Sequence, residues 1–329
     1  MSASPPLLQV TGATVRFPLR RHPLAWLAGG PRHITAVAGA DVILDAGETL
    51  AIVGESGSGK TTLARAIARL GPLHQGNIYF QGRDLHTLSH RALKGVRREM
   101  AMMFQDPVGS LSPRLGVGPL LLEPFRIHGV APPGGRRATV ERLLASVNLP
   151  FDLANRYPHQ LSGGQARRVG VARALALEPR LILADEPTAG LDVSVQGEVL
   201  NLLGELQDRR GLALLVITHN LHVVRHIAHR MAIMYLGRLV EWGPTGQIFH
   251  APRHPYTKVL LSANLHPDPD APKDRLKATG EVPRLRQRPS GCEFHPRCPM
   301  AQPRCRVEAP TATAVAGGGY RCHFPLAEA

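Results

Sequence analysis

The sequence predicts an α/β fold: a largely parallel sheet, an antiparallel β subdomain, an inserted helical subdomain and a small cysteine-bearing C-terminal extension. Three observations carry the prediction. Short apolar runs of strand character alternate with segments of helical spacing. A glycine-rich phosphate-binding pattern stands where one such run gives way to a helix. All four cysteines fall after residue 291, which sets the tail apart chemically.

Residues 7–17 alternate as a strand and end in Phe17-Pro18. The stretch 19–33, with Pro23, Gly29, Gly30 and Pro31, breaks the periodicity and reads as an inserted loop. Strand signals resume over 40–44, turn at Ala46-Gly47, and continue over 49–53 into the glycine-rich loop. After Lys60, the residues Leu63, Ile67 and Leu70 are spaced for one helix face. Residues 100–104 make a short strand. From about 106 to 178 helical patches are interrupted by prolines, the texture of a helical subdomain inserted into a sheet-based core. Strands return at 181–184 and 212–218. Between them Val195, Val199, Leu202, Leu203 and Leu206 trace an amphipathic helix. The runs 230–235 and 238–242, hinged near Gly237, form a closing hairpin. From Pro252 onward prolines and charges dominate and the core is expected to end. The domains expected are therefore 1–251 for the nucleotide-binding core and 252–329 for the extension.

Composition bounds the function. A hydrophobic content of 43% is ordinary for a globular chain. No run reaches the ~18 apolar residues that span a bilayer. The start, Met1 to Val10, lacks a basic region leading into an apolar one, so no signal peptide is expected. A soluble chain that meets a membrane only through partners is the expectation. The formal net charge is +14 (39 basic minus 25 acidic residues). The arginines are scattered without an aromatic platform, however, which argues against a nucleic-acid surface and for a basic face toward anionic headgroups.

Three motifs carry chemistry. Gly54-Glu55-Ser56-Gly57-Ser58-Gly59-Lys60-Thr61, followed by Thr62, matches the P-loop pattern in full. Its glycines let backbone N–H groups curl around phosphates, and the next helix adds its positive N-terminus. Lys60 supplies a point charge to the β- and γ-phosphates and Thr61 a hydroxyl to Mg²⁺. Leu161-Ser162-Gly163-Gly164-Gln165 lies just before a second helix, at about 165–177, and offers a hydroxyl and open N–H groups to an anion. Asp185 and Glu186 follow an apolar strand, at the end where ligands bind in such sheets. Asp185 suits a Mg²⁺ ligand acting through water.

In order and spacing these motifs resemble the ATP-binding cassette (ABC) ATPases over most of the chain. The resemblance implies a P-loop NTPase core of RecA-like type and a Mg²⁺-dependent, ATP-hydrolysing function. It makes Glu186 the general base. It makes Gln105 the Q-loop residue that meets Mg²⁺ and enters the helical subdomain, and His219 the switch that contacts the γ-phosphate. Phe17 is the candidate for stacking on adenine. It further implies head-to-tail dimerisation, with Ser162, Gly163, Gly164 and Gln165 closing over ATP held by another subunit and Asp192 at that junction.

Longer strings narrow the resemblance to the peptide/nickel (dipeptide and oligopeptide) importer branch. They are Phe104 through Arg114, Tyr157 through Gln165, Leu191 through Gln196, and the tail from Gly280 to Pro299. The branch implies a second ATPase subunit (a copy or a paralogue), two permeases and an external solute-binding protein. It also implies a peripheral position on the cytoplasmic face of the inner membrane and transport of peptides or related small solutes. Departures exist: Ala166-Arg167 replaces the usual basic-Gln pair, and Tyr320-Arg321 precedes Cys322. The tail spacing C-x5-C-x6-C-x16-C is wider than that of structural zinc sites. Some members of the branch carry an iron–sulfur cluster there, which makes Cys292, Cys298, Cys305 and Cys322 candidates for an iron–sulfur cluster or zinc, with free packed thiols as the alternative. The rival function is a non-transport ABC ATPase in a cytosolic complex acting on nucleic acid or in phosphonate metabolism.

Overall fold

A computed structural model describes residues 5–19, 33–106, 109–263 and 276–327. In chain order the strands are β1 Leu8–Pro18, β2 His33–Leu44, β3 Thr49–Val53, β4 Gln75–Phe80, β5 Arg83–Asp84, β6 Met100–Met103, β7 Leu181–Asp185, β8 Ala213–Thr218, β9 Arg230–Tyr235, β10 Arg238–Pro244, β11 Thr313–Val315 and β12 Gly318–Tyr320. The helices are α1 Lys60–Ile67, α2 His90–Glu99, α3 Val117–His128, α4 Gly135–Ala145, α5 Gly163–Leu175, α6 Val193–Arg210, α7 Leu221–Ile227, α8 Thr245–His250, α9 Pro255–Ala263 and α10 Pro303–Val307. The loop expected over 19–33 lies, apart from its end residues, outside the described residues, as do Pro107 and Val108.

The chain divides into two compact units. The first comprises 1–8, 44–49 and 80–217. Here β6, β7 and β8 run parallel, with Met100 opposite Leu181 and Leu181 opposite Ala213. Strands β7 and β8 are buried at every position, which is why they read as continuous apolar runs rather than alternating ones. Helices α3, α4 and α5 pack together as the expected helical subdomain. Helix α3 accommodates Pro124 in its interior and stops at Gly129, whose φ is 68°. Helix α6 buries Val199, Leu202, Leu203 and Leu206, and its Gln207 donates to the Gly47 carbonyl at 2.8 Å.

The second unit comprises 9–43, 50–79 and 218–329. Strands β2, β1 and β4 lie side by side in that order. Strand β3 runs parallel to β9, with Leu50 opposite Arg230. The hairpin β9–β10 is antiparallel, and its tip places Leu236 at φ 44° and Gly237 at φ 84°. Helix α1 is shorter than its apolar spacing predicts: it ends at Ile67, and Leu70 is half exposed.

The main correction concerns the tail. The core does not end at Pro252. Strand β12 adds antiparallel to β10, pairing Glu241 with Tyr320, and β11 adds to β12. Tyr256 and Phe294 are fully buried in one cluster with Ala51, Val53, Ile233 and Tyr235. A composition rich in proline and charge hid a few well-spaced apolar side chains. The buried Glu241 carboxylate accepts the backbone N–H groups of Arg253 and His254 at 2.6 and 2.9 Å and so fixes the start of α9. Burial pushes its pKa up, against the pull of those donors.

Candidate functional site

The P-loop is shaped by what surrounds its glycines. Strand β3 delivers the chain to Gly54, where a Cβ would run into the Met234 carbonyl oxygen. Gly59 caps α1 at φ 105°, a conformation closed to other residues, and has no room for a Cβ beside the Ala36 carbonyl. Gly59 offers no side-chain cap to α1, and the helix N-terminus faces the loop. Lys60 is buried, and its Nζ donates to the carbonyls of Gly54 (2.6 Å) and Glu55 (2.9 Å) and to Ser58 Oγ (3.4 Å). The ammonium is thus curled into the loop it serves. Ser56 and Gly57 are exposed, while Thr61 and Thr62 are half-buried at the start of α1. Phe17, at the end of β1, is 41% exposed, and His219 is exposed just past β8. These residues all belong to the second unit.

The first unit holds the remaining motifs. Asp185 ends β7 and is 3% exposed. Glu186 follows at φ 50°, rare for a residue with a side chain, and its N–H donates to the Ile217 carbonyl at 2.8 Å. Such a kink is the kind of strain that accumulates at functional positions. It turns the Glu186 side chain out of the strand register, and the carboxylate is half-buried.

Ser162 is the N-cap of α5. Its Oγ accepts the Gln165 N–H at 3.2 Å, and Gln165 Oε1 accepts the Ser162 N–H at 3.0 Å. This is a reciprocal capping box. The S-x-x-Q spacing carries that signal in the sequence. Ser162 and Gly163 are exposed, and a Cβ on Gly164 would press on Val195 Cγ1 at 2.8 Å. Asp192 is an exposed N-cap, its Oδ1 accepting the Val195 N–H at 2.9 Å. Gln105 is exposed just beyond β6.

One residue without an assigned role in the sequence organises this unit. Arg167 is 1% exposed. Its Nη1 donates to the Gln105 carbonyl at 3.2 Å and its Nη2 to the Ala189 carbonyl at 2.7 Å. It therefore ties the Q-loop and the segment after Glu186 to the helix that begins at Ser162. Burial lowers its pKa, and the carboxylates of Asp106 and Glu186 oppose that shift.

In the tail, the Cys292 N–H donates to the Cys305 carbonyl at 2.9 Å. Burial pushes the Cys292 thiol up to about 11 and the Cys322 thiol up to about 12. Cys305 and Cys298 add a smaller upward effect at Cys292, and the other three cysteines do so at Cys322. Among the described residues, no group of three or more His, Cys, Asp or Glu is disposed to hold a metal ion. The cysteines as they stand are free thiols.

Comparison with known proteins agrees with the geometry. Residues 37–189 match the family model described as ABC transporter, and residues 240–305 match the oligopeptide/dipeptide transporter, C-terminal region. A probable peptide ABC transporter ATP-binding protein of Sinorhizobium fredii is 44% identical over 96% of this chain and 89% of its own length. The chain belongs to the ABC transporter ATP-binding family. The oligopeptide transport ATP-binding protein OppF of Salmonella typhimurium is 43% identical to this ABC ATPase over 92% of each chain. Among solved structures, a dimeric ATP-binding cassette in a post-hydrolysis state bound to ADP and Pi is 28% identical, with a TM-score of 0.64 over 72% of this chain and 98% of its own. The fold is that of the P-loop NTPases, and the chain is an ATP-hydrolysing subunit of an ABC transporter. No helix among the described residues is long and apolar enough to cross a membrane.

Proposed function

We propose that this ABC ATPase powers the import of di- or oligopeptides or related small solutes. It would do so from the cytoplasmic face of the membrane, with two permeases, a second ATPase subunit and an external solute-binding protein. The observation that carries this reading is the tail: residues 240–305 match the C-terminal region of oligopeptide/dipeptide transporters. The relatives named for peptide transport support it.

Each motif is assigned the role that the family resemblance implies. The P-loop N–H groups and Lys60 hold the β- and γ-phosphates. Thr61, Gln105 and Asp185 each carry a hard oxygen donor of the kind Mg²⁺ prefers, and Mg²⁺, when bound, would offset phosphate charge. Glu186 takes a proton from the attacking water, His219 contacts the γ-phosphate, and Phe17 stacks on adenine. Ser162 through Gln165 and Asp192 serve ATP on the neighbouring subunit. The exposure of Ser162, Gly163 and Asp192, with the Ser162 and Asp192 side chains capping their own helices, supports that reading.

The first unit also carries a cavity of about 190 Å³ lined by Met102, Phe104, Pro124, His128, Arg173 and Leu177. Phe104 is 41% exposed there. A permease segment seated in it would sense the Q-loop directly, since Phe104 adjoins Gln105. The tail thiols are proposed to take up an iron–sulfur cluster or zinc by drawing closer together; the hydrogen bond that joins the Cys292 and Cys305 backbones supports this. Iron, sulfide and zinc analysis of anaerobically purified protein tests that point, and absence of all three removes it.

Purification from detergent-solubilised membranes tests the function. Two permeases and a second ATPase should accompany the chain, and peptide uptake should stop when it is deleted. A soluble, permease-free complex would overturn the reading.

A further inference from the structure

The P-loop is gripped from outside by the C-terminal tail, all within the second unit. Glu55, the second P-loop residue, accepts both terminal nitrogens of Arg297, at 2.9 and 3.1 Å. This fork geometry is the strongest form of an ion pair. Arg297 is 9% exposed, and its guanidinium lies 6.0 Å from the Tyr235 ring centroid. Tyr235 in turn packs against Tyr256 and Phe294, with centroids 4.6 and 5.3 Å away. The Glu55 N–H donates to Tyr256 Oη at 3.1 Å, so the backbone and side chain of one loop residue are held by two tail residues.

A second strand of the same grip runs through Arg288. Its Nη2 donates to the carbonyls of Thr35 (2.9 Å) and Leu236 (2.6 Å), while its Nη1 pairs with the buried Glu293 at 2.7 Å. That fixes the Leu236-Gly237 turn, whose Gly237 N–H donates to the Ser58 carbonyl at 2.7 Å. A loop with glycines at 54, 57 and 59 has many conformations to lose on closing around phosphates. A contact that removes some of them in advance lowers the cost of binding.

We propose that Arg297 is a positioning residue for nucleotide binding: through Glu55, the tail module pre-organises the P-loop, so that ATP affinity depends on the tail. The proposal rests on the assignment of Gly54–Thr62 as the phosphate site.

Nucleotide titration of the full chain tests it, with Arg297→Met, Glu55→Gln and the double variant, and Lys60→Ala as control. Each single substitution should weaken ATP binding roughly 5- to 30-fold, the span of a one-to-two kcal/mol loss. The double variant should bind no more weakly than the weaker single, because both remove one contact. In the assembled transporter, KM for ATP should rise while kcat changes less than about twofold. Arg297→Lys, which keeps the charge but not the fork, should fall between. Unchanged affinity in Arg297→Met, or losses that multiply in the double variant, would overturn the proposal. If Arg297→Met fails to fold, Glu55→Gln alone decides by the same criterion. Full ATP binding by Lys60→Ala would instead overturn the phosphate-site assignment.

Discussion

The P-loop and the Leu161–Gln165 turn use the same ingredients, glycines and a hydroxyl at a helix N-terminus, yet they are supported in opposite ways. The P-loop is enclosed at its base, beneath the exposed Ser56 and Gly57: Lys60 is buried against the loop's own carbonyls, and Glu55 is held by Arg297 and Tyr256. The Ser162 turn is open. Ser162 and Gly163 are exposed, and the Ser162 hydroxyl caps its own helix. An enclosed loop is prepared to bind alone, whereas an open one is prepared to bind something that another molecule brings.

The sharpest way to break that comparison is to stop the chemistry while leaving both loops intact. Glu186→Gln should retain ATP binding and lose roughly 10²- to 10⁴-fold in turnover, the usual worth of a general base. Undiminished hydrolysis in a single-turnover assay would remove Glu186 from that role. Next in size is Arg167, a buried tie behind the open turn. Arg167→Met leaves the Gln105 and Ala189 carbonyls without this donor and should cost roughly 2–6 kcal/mol, at ~1–3 kcal/mol per lost partner. Arg167→Gln, which puts a single amide donor group in place of the guanidinium fork, should cost about half. Denaturation midpoints check both.

Those two residues also show what the sequence could and could not convey. Glu186 was legible because a run of apolar residues ending in two carboxylates is a local pattern. Its φ of 50° was not, since no residue type there demands it. The tie made by Arg167 joins positions 62 and 22 residues away through backbone oxygens, which have no residue-type signature. The order of strands and helices was readable because buried parallel strands leave continuous apolar runs. The tail's place in the core was not, because Tyr256 and Phe294 are separated by a long polar stretch and meet only in space.

A smaller effect probes the enclosed side. His254 is buried beside the tail aromatics, and burial holds its pKa down to about 3. The unfolded chain takes up a proton near pH 6.5 that the folded chain refuses, so stability is lost as pH falls below 6.5. The slope approaches ~1.4 kcal/mol per pH unit for this group. Glu241, whose pKa is raised by burial, works against that loss at lower pH. Thermal melts of wild type and His254→Asn between pH 7.5 and 5 should therefore converge toward acid. Parallel curves would show that His254 does not contribute.

The central claim is that this chain holds ATP with its own P-loop and offers the Ser162 turn to ATP on another chain. The most direct measurement is ATP affinity of the dilute, isolated chain for Ser162→Arg beside Lys60→Ala. Lys60→Ala should weaken binding roughly 10- to 100-fold, as loss of charge-assisted hydrogen bonds implies. Ser162→Arg should bind within about twofold of wild type and yet lower hydrolysis in the assembled transporter. Equal loss of affinity in the two variants would contradict the claim and place the Ser162 turn on the chain's own nucleotide.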